Sequence, residues 1–168
     1  MRSLSLRLFT SLALIAIGAV LAPQAQAKDL ASRLGVGYRN SFVTMNLPSL
    51  ATFYYPSAET GLVGAIGVDT AENNALFGLS GAVRRIIFKE EQMNFFGMGQ
   101  IAVINQEVAA DKNSGFELAA GVGGEFFLHG LDSLGLNFET GVGITTIKKT
   151  RFRTLGESFL NAGMVFYF

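Results

Sequence analysis

The sequence has no cysteine and only one histidine. A chain without thiols forms no disulfide framework, no thiolate zinc site and no lipid attachment at a cysteine. Beyond residue 27 it also lacks any apolar run of about twenty residues, so no bilayer-spanning helix is expected there. Charge is scarce and balanced, with 13 Lys+Arg against 13 Asp+Glu in 168 residues. There is no large basic field, and nucleic acid is not an expected partner.

What is present begins with a leader. "MRSLSLRLFT" carries Arg2 and Arg7, "SLALIAIGAVLA" is a short apolar core, and "AQA" at Ala25 to Ala27 has the small-x-small form of a signal-peptidase site. These parts in this order describe a secretory signal peptide over residues 1–27, cleaved after Ala27. The domain is then 28–168. Without Arg2 and Arg7 it keeps 11 Lys+Arg against 13 Asp+Glu, a net charge of −2. Its 24 charged residues make about 17% of 141, against about a quarter in ordinary soluble domains. An exported, apolar, charge-poor chain without a membrane helix fits a closed β-barrel in an outer membrane.

The pattern along the domain is alternation rather than the helical period. In "FELAAGVGGEFFLHG" one face reads Phe116, Leu118, Ala120, Val122, Gly124, Phe126, Leu128, and the other Glu117, Ala119, Gly121, Gly123, Glu125, Phe127, His129. "LGLNFETGVGITTI" repeats the pattern, and the two read as a hairpin turning near Asp132. Eight such segments are expected, near 31–40, 49–56, 61–69, 75–88, 93–105, 116–129, 134–147 and 157–168, with Pro56 closing the short second one. The links "PSAET", "KEEQ" and "HGLDS" are short and should face the periplasm. "MNLPS", "DTAENN", "INQEVAADKNSG" and "KKTRFRT" should form outward-facing loops. The expected fold is all-β: an eight-stranded, antiparallel, up-and-down transmembrane β-barrel. A soluble barrel or sandwich would put charges on its outer face. Here the second face is mostly Gly, Ala, Ser and Asn, which suits a narrow lumen.

The chain ends "NAGMVFYF". Phe168, Phe166, Met164, Ala162 and Leu160 form one apolar stripe, with Asn161, Gly163 and Tyr167 on the other face. The last strand should pair with the first to remove the sheet edge. In these features the chain resembles the small outer-membrane barrels of the OmpA/OmpX-like type. The resemblance implies that the terminal Phe168, with Phe166 and Met164, is read by the outer-membrane assembly machinery. It also implies a non-enzymatic protein of the bacterial outer membrane that supports the envelope or mediates surface contact, among outer-membrane lipids and lipopolysaccharide. A narrow, porin-like channel for small or hydrophobic solutes, or a lipid A-modifying enzyme, are the competing readings.

Residues with possible chemistry are few. "GVG" at Gly35, Gly121 and Gly141 lacks the strand-to-helix context of a phosphate loop, and mid-strand glycines serve close packing. His129 falls beside a short turn with no serine partner, so no catalytic residue is assigned. No metal and no cofactor is expected. Lys148, Lys149, Arg151 and Arg153 cluster in the last outer loop, where they either hydrate the tip or contact lipopolysaccharide phosphates or another anionic surface. Arg85 should face lipid as a snorkelling interfacial arginine.

A hairpin turning at Asp132 makes facing positions sum to 264. Gly121 then opposes Gly143, Gly123 opposes Gly141, and Glu125 opposes Glu139. Two inward carboxylates so placed require that one stays protonated or that a cation sits between them. Arg84, of inward parity, is expected to bridge them, with Arg33 in reserve, closing the lumen as a charged plug.

Overall fold

The structure, a computed structural model, describes residues 28–42, 45, 47–72, 74–108, 111–154 and 161–168. Alternation becomes strand in β1 (Leu34–Asn40), β2 (Pro48–Ser57), β3 (Thr60–Ala71), β4 (Asn74–Glu90), β5 (Met93–Val108), β6 (Asp111–Phe127), β7 (Leu134–Thr145), β8 (Arg151–Thr154) and β9 (Asn161–Tyr167). Each strand from β1 to β7 pairs antiparallel with its sequence neighbour. β8 and β9 share one edge of β7, and β9 also pairs with β1. Nine segments thus make the eight staves of a closed, up-and-down, antiparallel barrel. On the last stave Thr154 faces Val142 while Asn161 faces Glu139. Three steps along β7 therefore match seven along its partner. The part of the expected last segment at 157–160 lies outside the described residues.

Burial alternates with the pleat. On β2, Ala51, Phe53 and Tyr55 are buried, while Leu50, Thr52 and Tyr54 are exposed. The core is therefore the bore itself, filled by side chains. One apolar cluster includes Phe53, Tyr55, Phe96, Met98, Phe127 and Tyr167. A second, of Phe42, Met45, Leu47, Ala102 and Ile104, fills the other end. The rim with the hairpins after β2, β4 and β6 is called lower here, and the opposite rim upper. Leu30, buried to 2% exposure, turns into the lower mouth. Its segment is held by Ser32 N–H donating to the Tyr55 carbonyl at 2.7 Å, Asn94 Nδ2 donating to the Lys28 carbonyl at 3.2 Å, and a 3.1 Å Lys28–Asp132 ion pair. Residues 28–33 thus cross the lower mouth from β1 to the far side of the same rim.

Several expectations need correction. Pro56 does not end β2, which runs to Ser57. A register irregularity between Tyr54 and Ser57 accommodates it, since a bulge needs no donor there. "DTAENN" and "INQEVAADKNSG" are largely strand: Ala71 faces Asn74, and Val108 faces Asp111. Polar side chains on both faces gave these stretches the composition of loops. Cross-strand polar pairs hold them instead, as in the 3.3 Å Lys112–Glu107 ion pair and the 2.6 Å Ser114–Asn105 hydrogen bond. In "MNLPS", Met45 and Leu47 turn into the bore rather than outward. The β6–β7 register is also two short of that expected, facing positions summing to 262, because the loop centres on Leu131. Leu131 N–H donates to the Leu128 carbonyl and Leu134 N–H to that of Leu131, with Gly130 at φ 82°. Gly121 therefore opposes Gly141, Gly123 opposes Glu139, and Glu125 opposes Asn137. The two glutamates lie on one face but are diagonal, not opposed.

Candidate functional site

Halfway along the bore, four charged side chains meet. Arg84 on β4, Glu125 on β6, Glu139 on β7 and Arg39 on β1 all point inward, none more than 1% exposed. Glu139 is the hub. Its Oε2 accepts from Arg39 Nε at 2.9 Å and Nη2 at 2.7 Å, and its Oε1 accepts from Arg84 Nη2 at 2.5 Å. Arg84 Nη1 lies 3.9 Å from Glu125 Oε1. Glu125 also accepts from the Tyr167 hydroxyl at 2.7 Å and from Tyr55 at 3.2 Å. Two cations and two anions balance, and hydroxyls complete the weaker pair. That matters because a buried ion costs several kcal/mol unless partners and hydrogen bonds offset it.

Aromatic rings enclose the cluster. The Arg84 guanidinium lies 4.3 Å from the Phe96 ring centre and 4.7 Å from that of Phe53, within cation–π range. Phe96 needs Gly123, where a Cβ would stand 2.7 Å from the ring edge. Tyr167 packs edge-on to Phe53 and Tyr55, with centroids 6.5 and 6.1 Å apart. The cluster draws on six staves, β1, β2, β4, β6, β7 and β9, and ties them across the bore.

The structure brings Arg84, Glu125 and Glu139 together. It does not place Arg33 with them: Arg33 sits half-buried at the start of β1, and Arg39, six residues further along, takes the second cationic place. Arg39 has the same parity as Arg33 and as Gly35 and Gly37, so its inward aspect was readable. Its depth was not, because β9 stands between β1 and β7 and sets their offset. Tyr55 and Tyr167 are the other members that sequence reasoning missed.

Of the four basic residues near the upper rim, Lys148, Lys149 and Arg151 are exposed and Arg153 is half-buried. Lys148 and Lys149 are exposed at the hairpin tip, Lys148 with a left-handed φ of 61°. Arg151 faces Thr145 and Arg153 faces Gly143, both on the inward side, whereas Phe152 pairs with outward Ile144 and is 65% exposed. Arg85 lies on the outer face and pairs with Glu59 at 2.6 Å. His129 is exposed on the lower rim, 3.4 Å from Gln92 Nε2. Phe168, Phe166 and Met164 form the exposed stripe of the last stave, 72%, 52% and 42% accessible.

A closed eight-stave barrel with a charge cluster across its bore is the class that these features define. No protein-family model, curated protein or solved structure matches the chain.

Proposed function

We infer that the chain is a non-enzymatic protein of the bacterial outer membrane, exported by the leader at 1–27, whose barrel spans the bilayer with its bore plugged. The single observation carrying this reading is the opposition of the two wall surfaces. The outward positions present Leu, Val, Ile and Phe around the wall, from Val36 and Leu50 to Val142 and Phe166, while the buried charges, Arg39, Arg84, Glu117, Glu125 and Glu139, lie on the inward face. An exposed apolar belt around a whole molecule is unstable in water and suits hydrocarbon. The lower rim would face the periplasm and the upper rim the outside. The Phe168, Phe166 and Met164 stripe would serve recognition by the assembly machinery, and Lys148 and Lys149 would meet lipopolysaccharide phosphates. The bore is crossed by Arg84, Glu139 and Arg39 and packed with rings, so the role falls to support of the envelope and surface contact rather than passage or catalysis.

Two measurements test this. The mature protein should fractionate with outer membranes and survive their extraction at high salt. In planar bilayers it should give no steady conductance. Steady single-channel steps would replace the plug with a narrow conduit, and a change in lipid A mass on expression would favour a lipid-modifying enzyme.

A further inference from the structure

We propose that cleavage after Ala27 locks the lower mouth shut: the new α-ammonium of Lys28 docks on the Glu91 carboxylate and Asn94 Oδ1 in a polar pocket of the rim, and so seats the strap of residues 28–33. This rests on the leader reading above and not on the membrane reading. The pocket, of about 290 Å³, is lined by residues that include Lys28, Glu91, Gln92, His129 and Asp132. Its charges do not balance. Lys28 Nζ pairs with Asp132 at 3.1 Å. Glu91, in the turn between β4 and β5, lines the same pocket and has no ion pair among the described residues. A hydrogen-bond acceptor is also left over. Asn94, 1% exposed, donates through Nδ2 to the Lys28 carbonyl at 3.2 Å, while its Oδ1 has no hydrogen-bond partner. One acceptor thus shares the pocket with Lys28, and the other belongs to the amide that holds its carbonyl.

Processing changes the chemistry of one nitrogen. Hydrolysis of the Ala27–Lys28 bond consumes one water, whose oxygen goes to the Ala27 carboxylate and whose two protons go to the Lys28 nitrogen. In the precursor that nitrogen is a neutral amide with one N–H. Afterwards it is an ammonium at neutral pH, with a charge for Glu91 and donors enough for Asn94 Oδ1 as well. The strap needs such a hold at its free end. Beyond Lys28 its backbone is tied by Ser32 N–H donating to the Tyr55 carbonyl at 2.7 Å and Arg33 N–H to that of Leu30 at 2.9 Å. Between them Ser32 takes a left-handed φ of 63°, a conformation that a serine keeps only when its surroundings impose it. Leu30, the side chain that corks the mouth, sits on this strained turn. The mouth therefore closes fully only after the leader has left.

The test refolds the processed chain, beginning at Lys28, from urea into detergent micelles, beside the same chain with one glycine added before Lys28. The added residue moves the ammonium by up to about 3.8 Å. Two rates are read: acylation of the α-amine, each chain relative to itself in urea, and amide exchange at Ser32. Both should be about five-fold slower in the processed chain than in the extended one, as an ion pair of about 1 kcal/mol gives. Glu91→Gln in the processed chain should raise both rates to those of the extended chain. Glu90→Gln, one position earlier and outside the pocket lining, should leave them unchanged. Both glutamates are exposed, so neither variant disturbs the core. Equal rates in the processed and extended chains, or an effect of Glu90→Gln as large as that of Glu91→Gln, overturn the lock. The leader reading is scored apart, by the mass of the protein purified from cells: a first residue other than Lys28 overturns that reading and the lock with it.

Discussion

The wall built by β4, β5 and β6 and the seam between β1 and β9 hold together in different ways. β5 and β6 pair over sixteen consecutive positions, from Met93↔Phe126 to Val108↔Asp111. β1 and β9 pair over five, from Gly35↔Tyr167 to Arg39↔Gly163, with one further reciprocal pair of backbone hydrogen bonds between Leu34 and Phe168. The wall is stable as a ladder. The seam has too few rungs for that and relies on side chains from within the bore. Arg39 on β1 reaches past β9 to Glu139 on β7, and Tyr167 on β9 reaches Glu125 on β6. The plug is thus also the clasp of the barrel, which explains why ions are worth burying where an apolar core would fill the space.

Removing the cluster's central cation should do most damage. Arg84→Ala strands charge on Glu125 and Glu139 and should cost roughly 3–5 kcal/mol, read as a lowered urea midpoint for the folded barrel. A loss under about 1 kcal/mol would detach stability from the plug. Next in size, Arg39→Ala removes two charged hydrogen bonds but leaves Arg84 on Glu139, for about 2–3 kcal/mol. Its signature is local: amide exchange in β1 and β9 should accelerate while β5 and β6 keep their protection. Uniform acceleration would erase the distinction between seam and wall. Deleting Phe168 removes the outermost rung and should cost the folded barrel about 1 kcal/mol. In cells the inserted fraction should fall far more than that figure implies, and wild-type insertion would count against an assembly role. Replacing Lys148 and Lys149 with Gln should weaken anionic glycolipid binding at low salt by at most about 1 kcal/mol for each contact. Binding unchanged by the double variant would leave the two lysines a hydrating role alone. The smallest effect belongs to the wall's upper tip, where Lys112→Ala should change stability by less than about 0.5 kcal/mol. A larger loss in the same urea titration would mean that the tall ladder also leans on single side chains.

Much of this architecture was legible in the sequence, and the parts that were not have physical reasons. Alternation in segments such as 116–129 and 134–147 assigns the residues that fall in β6 and β7 to the inner or outer surface, because parity survives any register slip by two. The same degeneracy is why Glu125 and Glu139 could be assigned inward yet set opposite one another wrongly: a loop centred on Leu131 rather than Asp132 keeps parity and moves each partner by two. The identity of the second arginine lies further from the sequence. Arg33 and Arg39 share parity on one strand, and only the offset accumulated through β9 selects between them. Strand at 106–108 and 111–115 was hidden by polar side chains on both faces, which bind across the ladder but imitate a loop in composition.

One consequence of the clasp concerns time. Arg39 and Glu139 are separated by 100 positions in sequence, so this pair is among the most non-local contacts of the chain, and such contacts form late because a large loop must close first. Hairpins β4–β5 and β6–β7 can zip from their own turns. The clasp has to wait until the first and last staves meet, and until then its ions remain hydrated. Dehydration of four charges and closure of the ring are therefore one event, the last, and the finished barrel cannot reopen at its shortest seam without rewetting them.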